Sequence, residues 1–294
     1  MNSRIAQILH ANGQAEEVFK YVLSARGKGL RPSLVFLTYE LCGGTGLSEA
    51  VDCAAGVELV HMASLIHDDI IDGSELRRGR KTLYRRFGTQ AAVLAGDRLF
   101  AAAFYLFSLA RDARVSQVMT QVIQDMCMGE INQLHSPAAE ESDYLEYIHK
   151  KTACLIGGSC RLGVILAGKE LAQGDSLQSF GENIGIAFQL SDDVLDYRGA
   201  SAVMGKEGGR DFAEGIWTLP TIRAFKRGLI PGNWFDSDFE TIRYILEKRG
   251  LLDEVWQLAA SYVKKAGRIL GEFPDSRAKL ELQKLLEKLI RRTW

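Results

Sequence analysis

The sequence predicts an all-α protein. Only five of its 294 residues are proline, and the interval between Pro32 and Pro137 has none, so several long helices can follow one another there. Apolar residues in that interval recur at spacings of three and four, which is the period of an amphipathic helix. No Asn-Gly or Asp-Gly turn there separates two runs of alternating strand pattern.

Turn residues and apolar spacing locate the individual helices. We expect helices at about 14–24, 32–43, 49–72, 89–110 and 114–135, around 151–152, and at about 176–196. Pro32 suits a first helical turn, while Ser48 and Ser142 are expected to cap the helices that follow them. The glycine-rich segment 197–215 predicts a loop, and the leucine-rich end of the chain predicts an amphipathic helix.

Composition is that of an ordinary globular protein, with 47% hydrophobic and 25% charged residues. The net charge of −1 gives no indication of a nucleic-acid partner. No low-complexity linker divides the chain, so we expect one domain over residues 1–294. The first residues lack a signal-peptide pattern and no uninterrupted apolar run could span a bilayer, so we expect a cytoplasmic protein without a transmembrane segment.

Two acidic motifs of one pattern stand in apolar surroundings. They are Asp68-Asp69-x-x-Asp72 and Asp192-Asp193-x-x-Asp196. Residues four apart lie on one face of a helix, so the first and last aspartates of each motif project together. Clustered carboxylates need cations, and Mg²⁺ takes oxygen ligands and completes its shell with water and phosphate. The motifs therefore predict two or three Mg²⁺ ions that bridge a polyphosphate.

Arginines follow the first acidic motif closely. The run Arg77-Arg78-x-Arg80-Lys81 and the pair Arg85-Arg86 lie in the segment after it. Arginine binds phosphate oxygens through two parallel hydrogen bonds. Arg80, Arg85 and Arg86 fit a solvated surface equally well. Because no aromatic residues alternate with the basic run and acidic residues lie beside it, diphosphate is a better ligand than nucleic acid.

Other basic groups lie on the N-terminal side of the first motif. Lys28 and Arg31 belong to a glycine-broken turn, where backbone N–H groups also suit an anion. His61 precedes the first aspartate by two helical turns and shares its face, which fits either a core histidine or a ligand. His67 points about 100° away from that face, so we interpret it as structural.

Taken together, the motifs resemble those of the trans-isoprenyl diphosphate synthases (polyprenyl synthetases). In that family's order, this chain has Gly-Lys-Gly-Leu-Arg-Pro, Ser-Leu-Ile-His-Asp-Asp-Ile-Ile-Asp, Leu-Arg-Arg-Gly, Gly-Glu-x-x-Gln-Leu, Lys-Thr-Ala, Phe-Gln-Leu-Ser-Asp-Asp-Val-Leu-Asp and Thr-Leu-Pro. The resemblance implies an isoprenoid synthase-type helical bundle around a central catalytic cavity, usually a homodimer. It implies a prenyltransferase that condenses isopentenyl diphosphate with an allylic diphosphate, giving an all-E polyprenyl diphosphate and free diphosphate.

The resemblance also assigns roles to residues at matching positions. The implied metal ligands are Asp68, Asp69, Asp72, Asp192, Asp193 and Asp196. The implied isopentenyl diphosphate site is Lys28, Arg31, His61 and Arg78. The implied allylic site is Arg77, Lys151, Thr152, Gln189 and Lys206. Oxygens of Lys151, Thr152 and Gln189 would stabilise the allylic cation, and Asp68, Asp72 and Asp192 would assist departure of diphosphate through the metal.

Three positions bear on how far the resemblance extends. Gly29 stands where the family often has arginine, and Ile216 replaces the lysine that commonly precedes x-Thr-Leu-Pro. The loss of that lysine removes one expected diphosphate contact. Ala63, five residues before the first aspartate, is small, which predicts an open hydrocarbon tunnel and a product longer than C15.

Three other functions remain open from the sequence. A class I terpene cyclase shares the metal chemistry, but its second metal motif usually mixes Asn, Ser and Glu. A non-catalytic subunit of a heteromeric synthase would account for Ile216, but the two intact acidic motifs argue against it. A magnesium-dependent hydrolase of another helical fold fits the acids but leaves the ordered basic motifs unexplained.

Overall fold

The structure is a computed structural model that describes residues 1–24, 27, 29–135, 140–199 and 209–291. Its helices are α1 (Asn2–Ile8), α2 (Gln14–Ser24), α3 (Leu30–Leu41), α4 (Ser48–Ile71), α5 (Leu83–Phe87), α6 (Thr89–Ser108), α7 (Arg114–His135), α8 (Glu141–Ile148), α9 (Cys154–Leu166), α10 (Leu171–Arg198), α11 (Arg210–Ala213), α12 (Leu219–Lys226), α13 (Phe239–Lys248), α14 (Leu251–Gly271) and α15 (Arg277–Arg291). A π-helical turn, His149–Ala153, joins α8 to α9, and a 3₁₀ turn covers Trp234–Asp236. The prediction of an all-α fold is confirmed.

Two compact units make up the chain. The first comprises Met1–Ile123 and Gly158–Asp175, and the second comprises Gln124–Gly157 and Ser176–Trp294. The first acidic motif and the basic run belong to the first unit, and the second acidic motif belongs to the second. The single domain over residues 1–294 stays a prediction.

Helix α4 is the buried centre of the first unit, where it packs along α6 and against α1 and α3. Glycines let α4 and α6 approach closely. A Cβ on Gly56 would lie 2.5 Å from the ring of Phe107, and one on Gly96 would lie 2.1 Å from Nε2 of His67. His67 Nε2 also lies 3.2 Å from the Val93 carbonyl oxygen. His67 therefore anchors α4 on α6, as expected of a structural residue.

An apolar cluster forms the core of the second unit. It joins side chains of α8, α10, α12, α13 and α14, and its largest fully buried members are Trp234, Tyr144 and Tyr197. Because Tyr144 belongs to α8 and Tyr197 to α10, the cluster holds α8 against the helix that carries the second acidic motif.

Several predicted helix ends are wrong by a few residues. Ser48 is the first residue of α4, with Leu47 at the N-cap, and Ser142 lies inside α8, with Glu140 at the N-cap. Helix α10 begins at Leu171 rather than near residue 176. It continues through Gly174, although glycine inside a helix costs about 1 kcal/mol.

Two elements had no signal in the sequence analysis. Helix α1 precedes the first predicted helix, and Ile5 and Leu9 of this segment are buried. Strands β1 (Leu76–Arg77) and β2 (Arg80–Lys81) form an antiparallel hairpin in the basic run. Two-residue strands are too short to give an alternating pattern, so only tertiary contacts identify them.

Helices α4 and α6 are long and apolar enough to cross a membrane by length and composition. In α4, however, 67% of the apolar window is buried inside the fold, and in α6 the fraction is 44%. Core helices of water-soluble proteins pass the same test, so these two helices are weak evidence for a membrane span.

Candidate active site

The first acidic motif lies at the C-terminal end of α4. Asp72 is the C-cap residue, and its N–H donates to the Asp68 carbonyl at 2.8 Å. Asp69 is only 4% exposed, and its Oδ1 accepts from Arg77 Nε at 2.7 Å. Asp72 is exposed and Asp68 half-buried. Arg77 thus lies against the buried aspartate, while the outer aspartates are the more accessible to a metal ion.

The hairpin turn after this motif holds Arg78 in a strained backbone conformation. Arg78 has φ +52° and Gly79 has φ +74°, as a two-residue hairpin turn requires. The left-handed region costs a residue with a Cβ about 1–2 kcal/mol. A Cβ on Gly27 would lie 3.2 Å from an Arg78 guanidinium nitrogen. The turn therefore directs the guanidinium of Arg78 to the glycine that precedes Lys28.

His61 has positively charged surroundings. Burial lowers its pKa well below 6.5, and the charges of Arg31, Arg78 and Arg77 lower the pKa further. The imidazole is therefore neutral at pH 7, and it can donate one hydrogen bond while the arginines supply the positive charge. This arrangement favours an anionic ligand and brings together three residues of the predicted isopentenyl diphosphate site. The fourth, Lys28, lies outside the described residues.

The remaining arginines of the basic run have structural partners. The Cζ atoms of Arg80 and Arg86 lie 4.5 and 4.4 Å from the centroid of the Tyr21 ring. Arg85 forms an ion pair with Glu75 at 2.5 Å. The contacts with Tyr21 join α2 to the hairpin and to α5, and the partners of all three arginines favour a structural role over a phosphate contact.

In the second unit, the π-helical turn carries Lys151 and Thr152. Lys151 Nζ lies 2.9 Å from Glu130 Oε1 and 5.4 Å from the centroid of the Tyr147 ring. Burial acts to lower the pKa of Lys151, but Tyr147 and Glu130 outweigh it and raise that pKa above its usual value. Lys151 therefore stays charged at every pH at which the protein would work.

A row of hydrogen bonds leads from the π-helical turn to the second acidic motif. Thr152 Oγ1 donates to Gln189 Oε1 at 3.3 Å, and Gln189 Nε2 donates to Asp193 Oδ1 at 3.1 Å. The Tyr144 hydroxyl donates to Asp193 Oδ2. Three residues predicted from two motifs thus form one site, and a fourth, Tyr144, had no signal in the sequence.

Asp193 and Asp211 are acidic groups with unusual surroundings. Asp193 is 2% exposed; its burial and Asp211 raise its pKa, while hydrogen bonds from Tyr144 and Gln189 act in the opposite direction. Burial, and then the charge of Asp196, raise the pKa of Asp211 to about 7. Asp211 was missed because segment 197–215 was interpreted as a loop; an acid in a glycine-rich segment soon after the motif was the available signal.

The last aspartate of the second motif also has a structural task. The Asp196 carboxylate accepts backbone N–H donors from Arg210 at 3.3 Å and from Asp211 at 3.0 Å. It therefore holds the start of α11. Lys206, predicted to contact the allylic substrate, lies outside the described residues.

The donor set suits a hard divalent cation because both motifs offer carboxylate oxygens. Among the described residues, no three His, Cys, Asp or Glu side chains form a ready-made metal site. An ion bound here would need substrate and water oxygens to complete its shell, which is how Mg²⁺ is usually held. The residues therefore fit the predicted metal, provided that substrate and water supply the remaining oxygen ligands.

Comparisons with known proteins agree with these features. A family model described as polyprenyl synthetase matches residues 13–231. This chain belongs to the polyprenyl synthetase family. It is therefore a prenyltransferase of the polyprenyl diphosphate synthase type. Proteins of this family use a divalent metal ion.

Individual relatives cover nearly the whole chain. Octaprenyl diphosphate synthase of Haemophilus influenzae is 34% identical over 275 residues, 92% of this chain and 80% of that protein. Heptaprenyl diphosphate synthase component 2 of Bacillus subtilis is 30% identical over 93% of this chain and 81% of its own. A crystal structure of polyprenyl synthase from Caulobacter crescentus, complexed with calcium and isoprenyl diphosphate, superposes with a TM-score of 0.91 and 32% sequence identity. The superposition covers 100% of this chain and 94% of that chain.

Proposed function

We propose that the chain is a Mg²⁺-dependent trans-prenyltransferase that condenses isopentenyl diphosphate with an allylic diphosphate. Its product is an all-E polyprenyl diphosphate longer than C15, and diphosphate is released. The observation that carries the proposal is the row Thr152–Gln189–Asp193. It joins two oxygens able to stabilise an allylic cation to an acidic motif suited to divalent ions.

The residues of the second unit act on the allylic substrate. The carboxylates of each acidic motif would hold Mg²⁺, two or three ions in all, and the metal would supply the positive charge that makes diphosphate a better leaving group. Lys151 binds diphosphate oxygens as a permanent cation, with Arg77 assisting. Thr152 Oγ1 and Gln189 Oε1 face the positive charge that grows as the C–O bond breaks, so they stabilise the transition state more than the ground state.

The residues of the first unit hold the second substrate. Arg31 and Arg78 bind the diphosphate of isopentenyl diphosphate, and neutral His61 donates a hydrogen bond to it. The double bond attacks the allylic carbon, a C–C bond forms, and loss of a proton regenerates an allylic diphosphate one isoprene unit longer. The released diphosphate accepts the proton.

The decisive experiment incubates the purified chain with Mg²⁺, labelled isopentenyl diphosphate and each of several allylic primers. We expect linear prenyl diphosphates longer than C15 by chromatography. A cyclic hydrocarbon, or release of inorganic diphosphate without chain extension, would contradict the proposal in favour of a cyclase or a hydrolase.

A second candidate is a subunit of a two-component synthase. Similarity to a heptaprenyl diphosphate synthase component 2 and the presence of Ile216 favour it. Product formation by the purified chain alone would exclude this candidate. We propose a homodimer, which light scattering tests. We also propose a cytoplasmic location, which is supported by the burial of 67% of the apolar window of α4 inside the fold.

A further inference from the structure

Tyr144 is a buried residue to which neither the acidic nor the basic motifs gave a role. It is 2% exposed on α8, and its hydroxyl donates to Asp193 Oδ2. The other oxygen of that carboxylate accepts from Gln189 Nε2 at 3.1 Å. With both oxygens engaged, the carboxyl group of Asp193 cannot rotate without losing a hydrogen bond.

The orientation of Gln189 depends on that carboxylate. A glutamine amide has a donor end and an acceptor end of nearly equal shape. The Nε2 end of Gln189 donates to Asp193 Oδ1, which leaves Oε1 beside Thr152 Oγ1, 3.3 Å away. If Asp193 were free to turn, the amide could flip and present its N–H₂ group where a growing positive charge needs oxygen.

We propose that Tyr144 is a positioning residue for prenyl transfer: its hydroxyl locks Asp193, Asp193 orients Gln189, and Gln189 presents Oε1 to the allylic cation. The inference rests on the proposed function and adds to it a residue remote from both substrates. The role needs only the hydroxyl group, because the ring is already fixed by the apolar cluster of the second unit.

Tyr144→Phe tests this role because it removes one oxygen and keeps the ring. We expect kcat to fall about tenfold, the size of one lost hydrogen bond, with little change in the KM for isopentenyl diphosphate. The matched control is Tyr262→Phe, since Tyr262 packs partly buried against the same cluster; kcat should not change. In a Gln189→Met background, Tyr144→Phe should have no further effect.

Each outcome has one meaning. An inactive wild-type chain would remove the proposed function itself. An active wild type with an equally active Tyr144→Phe variant would remove only the positioning role. A further loss of activity when Tyr144→Phe is added to Gln189→Met would also overturn that role. So would a Tyr144→Phe chain that does not fold, because the hydroxyl would then act on stability rather than through Gln189.

Discussion

Gln189 and Asp193 lie one turn apart on α10, and Nε2 of Gln189 donates to Oδ1 of Asp193 at 3.1 Å. Helix geometry alone brings positions four apart together. The partners at the two ends of this pair, Thr152 and Tyr144, come from elsewhere in the second unit. A hydrogen bond predictable from sequence spacing is therefore extended by two bonds that only packing creates.

Removing the accessible aspartates should abolish most turnover. We expect Asp68→Asn and Asp192→Asn each to lower kcat by about 10²–10³-fold, the usual effect of losing one electrostatic contact to the transition state. Steady-state assays measure this, with thermal unfolding as the check on folding. The control is Asp275→Asn, since that side chain is fully exposed; an equal loss there would contradict the assignment.

Replacing Arg78 should stabilise the protein and weaken its binding of isopentenyl diphosphate. Arg78→Asn suits the left-handed conformation better, so the free energy of unfolding should rise by up to about 1 kcal/mol. Loss of the guanidinium should raise the KM for isopentenyl diphosphate about tenfold. Urea unfolding and kinetics test both effects. Gly79→Ala, at φ +74° in the same turn, should instead destabilise the protein, and two changes of the same sign would contradict the strain argument.

One added methyl group at the contact between α4 and α6 should destabilise the protein. In Gly96→Ala the new Cβ would lie 2.1 Å from His67 Nε2, and overpacking of this kind costs about 1–3 kcal/mol. Gly271→Ala is the control, because no atom lies within 4 Å of its added Cβ. The added variant His67→Ala should recover part of the loss in Gly96→Ala. No recovery would mean that His67 is not the obstacle.

The His149–Glu182 pair should make stability depend on pH. The hydrogen bond to Glu182 raises the pKa of His149, against an opposing effect of burial, with Glu182 and Asp125 adding to the rise and Lys150 opposing it. A raised folded pKa stabilises the protein fully below the ordinary value of 6.5 and loses that contribution as pH rises through the folded pKa. Urea unfolding of wild type and His149→Gln from pH 5.5 to 8.5 should show a difference that shrinks as pH rises. A difference in unfolding free energy that grows as pH rises would contradict a raised pKa for His149.

Ala63 should influence product length. Its side chain is fully buried on α4, five residues before Asp68. Ala63→Phe places a larger side chain on that face, so we expect chromatography to show shorter products, with thermal unfolding measured alongside because overpacking also destabilises. An unchanged product distribution from a folded variant would reject Ala63 as a wall of the tunnel.

Much of the site was predictable because short-range periodicity governs it. The carboxylates at positions 68 and 72 and those at 192 and 196 share helix faces by spacing alone, and His61 follows the same rule. The hairpin at Arg78, the helix caps and the raised pKa of Asp211 were not predictable. The hairpin depends on a turn only two residues long, and the caps depend on helix boundaries that shift by one or two residues. The pKa of Asp211 depends on burial by segments distant in sequence.

The sequence by itself determined that this chain is helical, that it carries two acidic motifs with a basic run, and that its family is the polyprenyl synthetases. Only the tertiary structure decided which residues of the acidic motifs and of the basic run have partners within the protein. Arg80 and Arg86 lie against the Tyr21 ring, Arg77 lies against Asp69, and Tyr144 holds Asp193. The physical reason is that spacing sets the direction of a side chain on its own helix, whereas burial and partners depend on what other segments place in front of it.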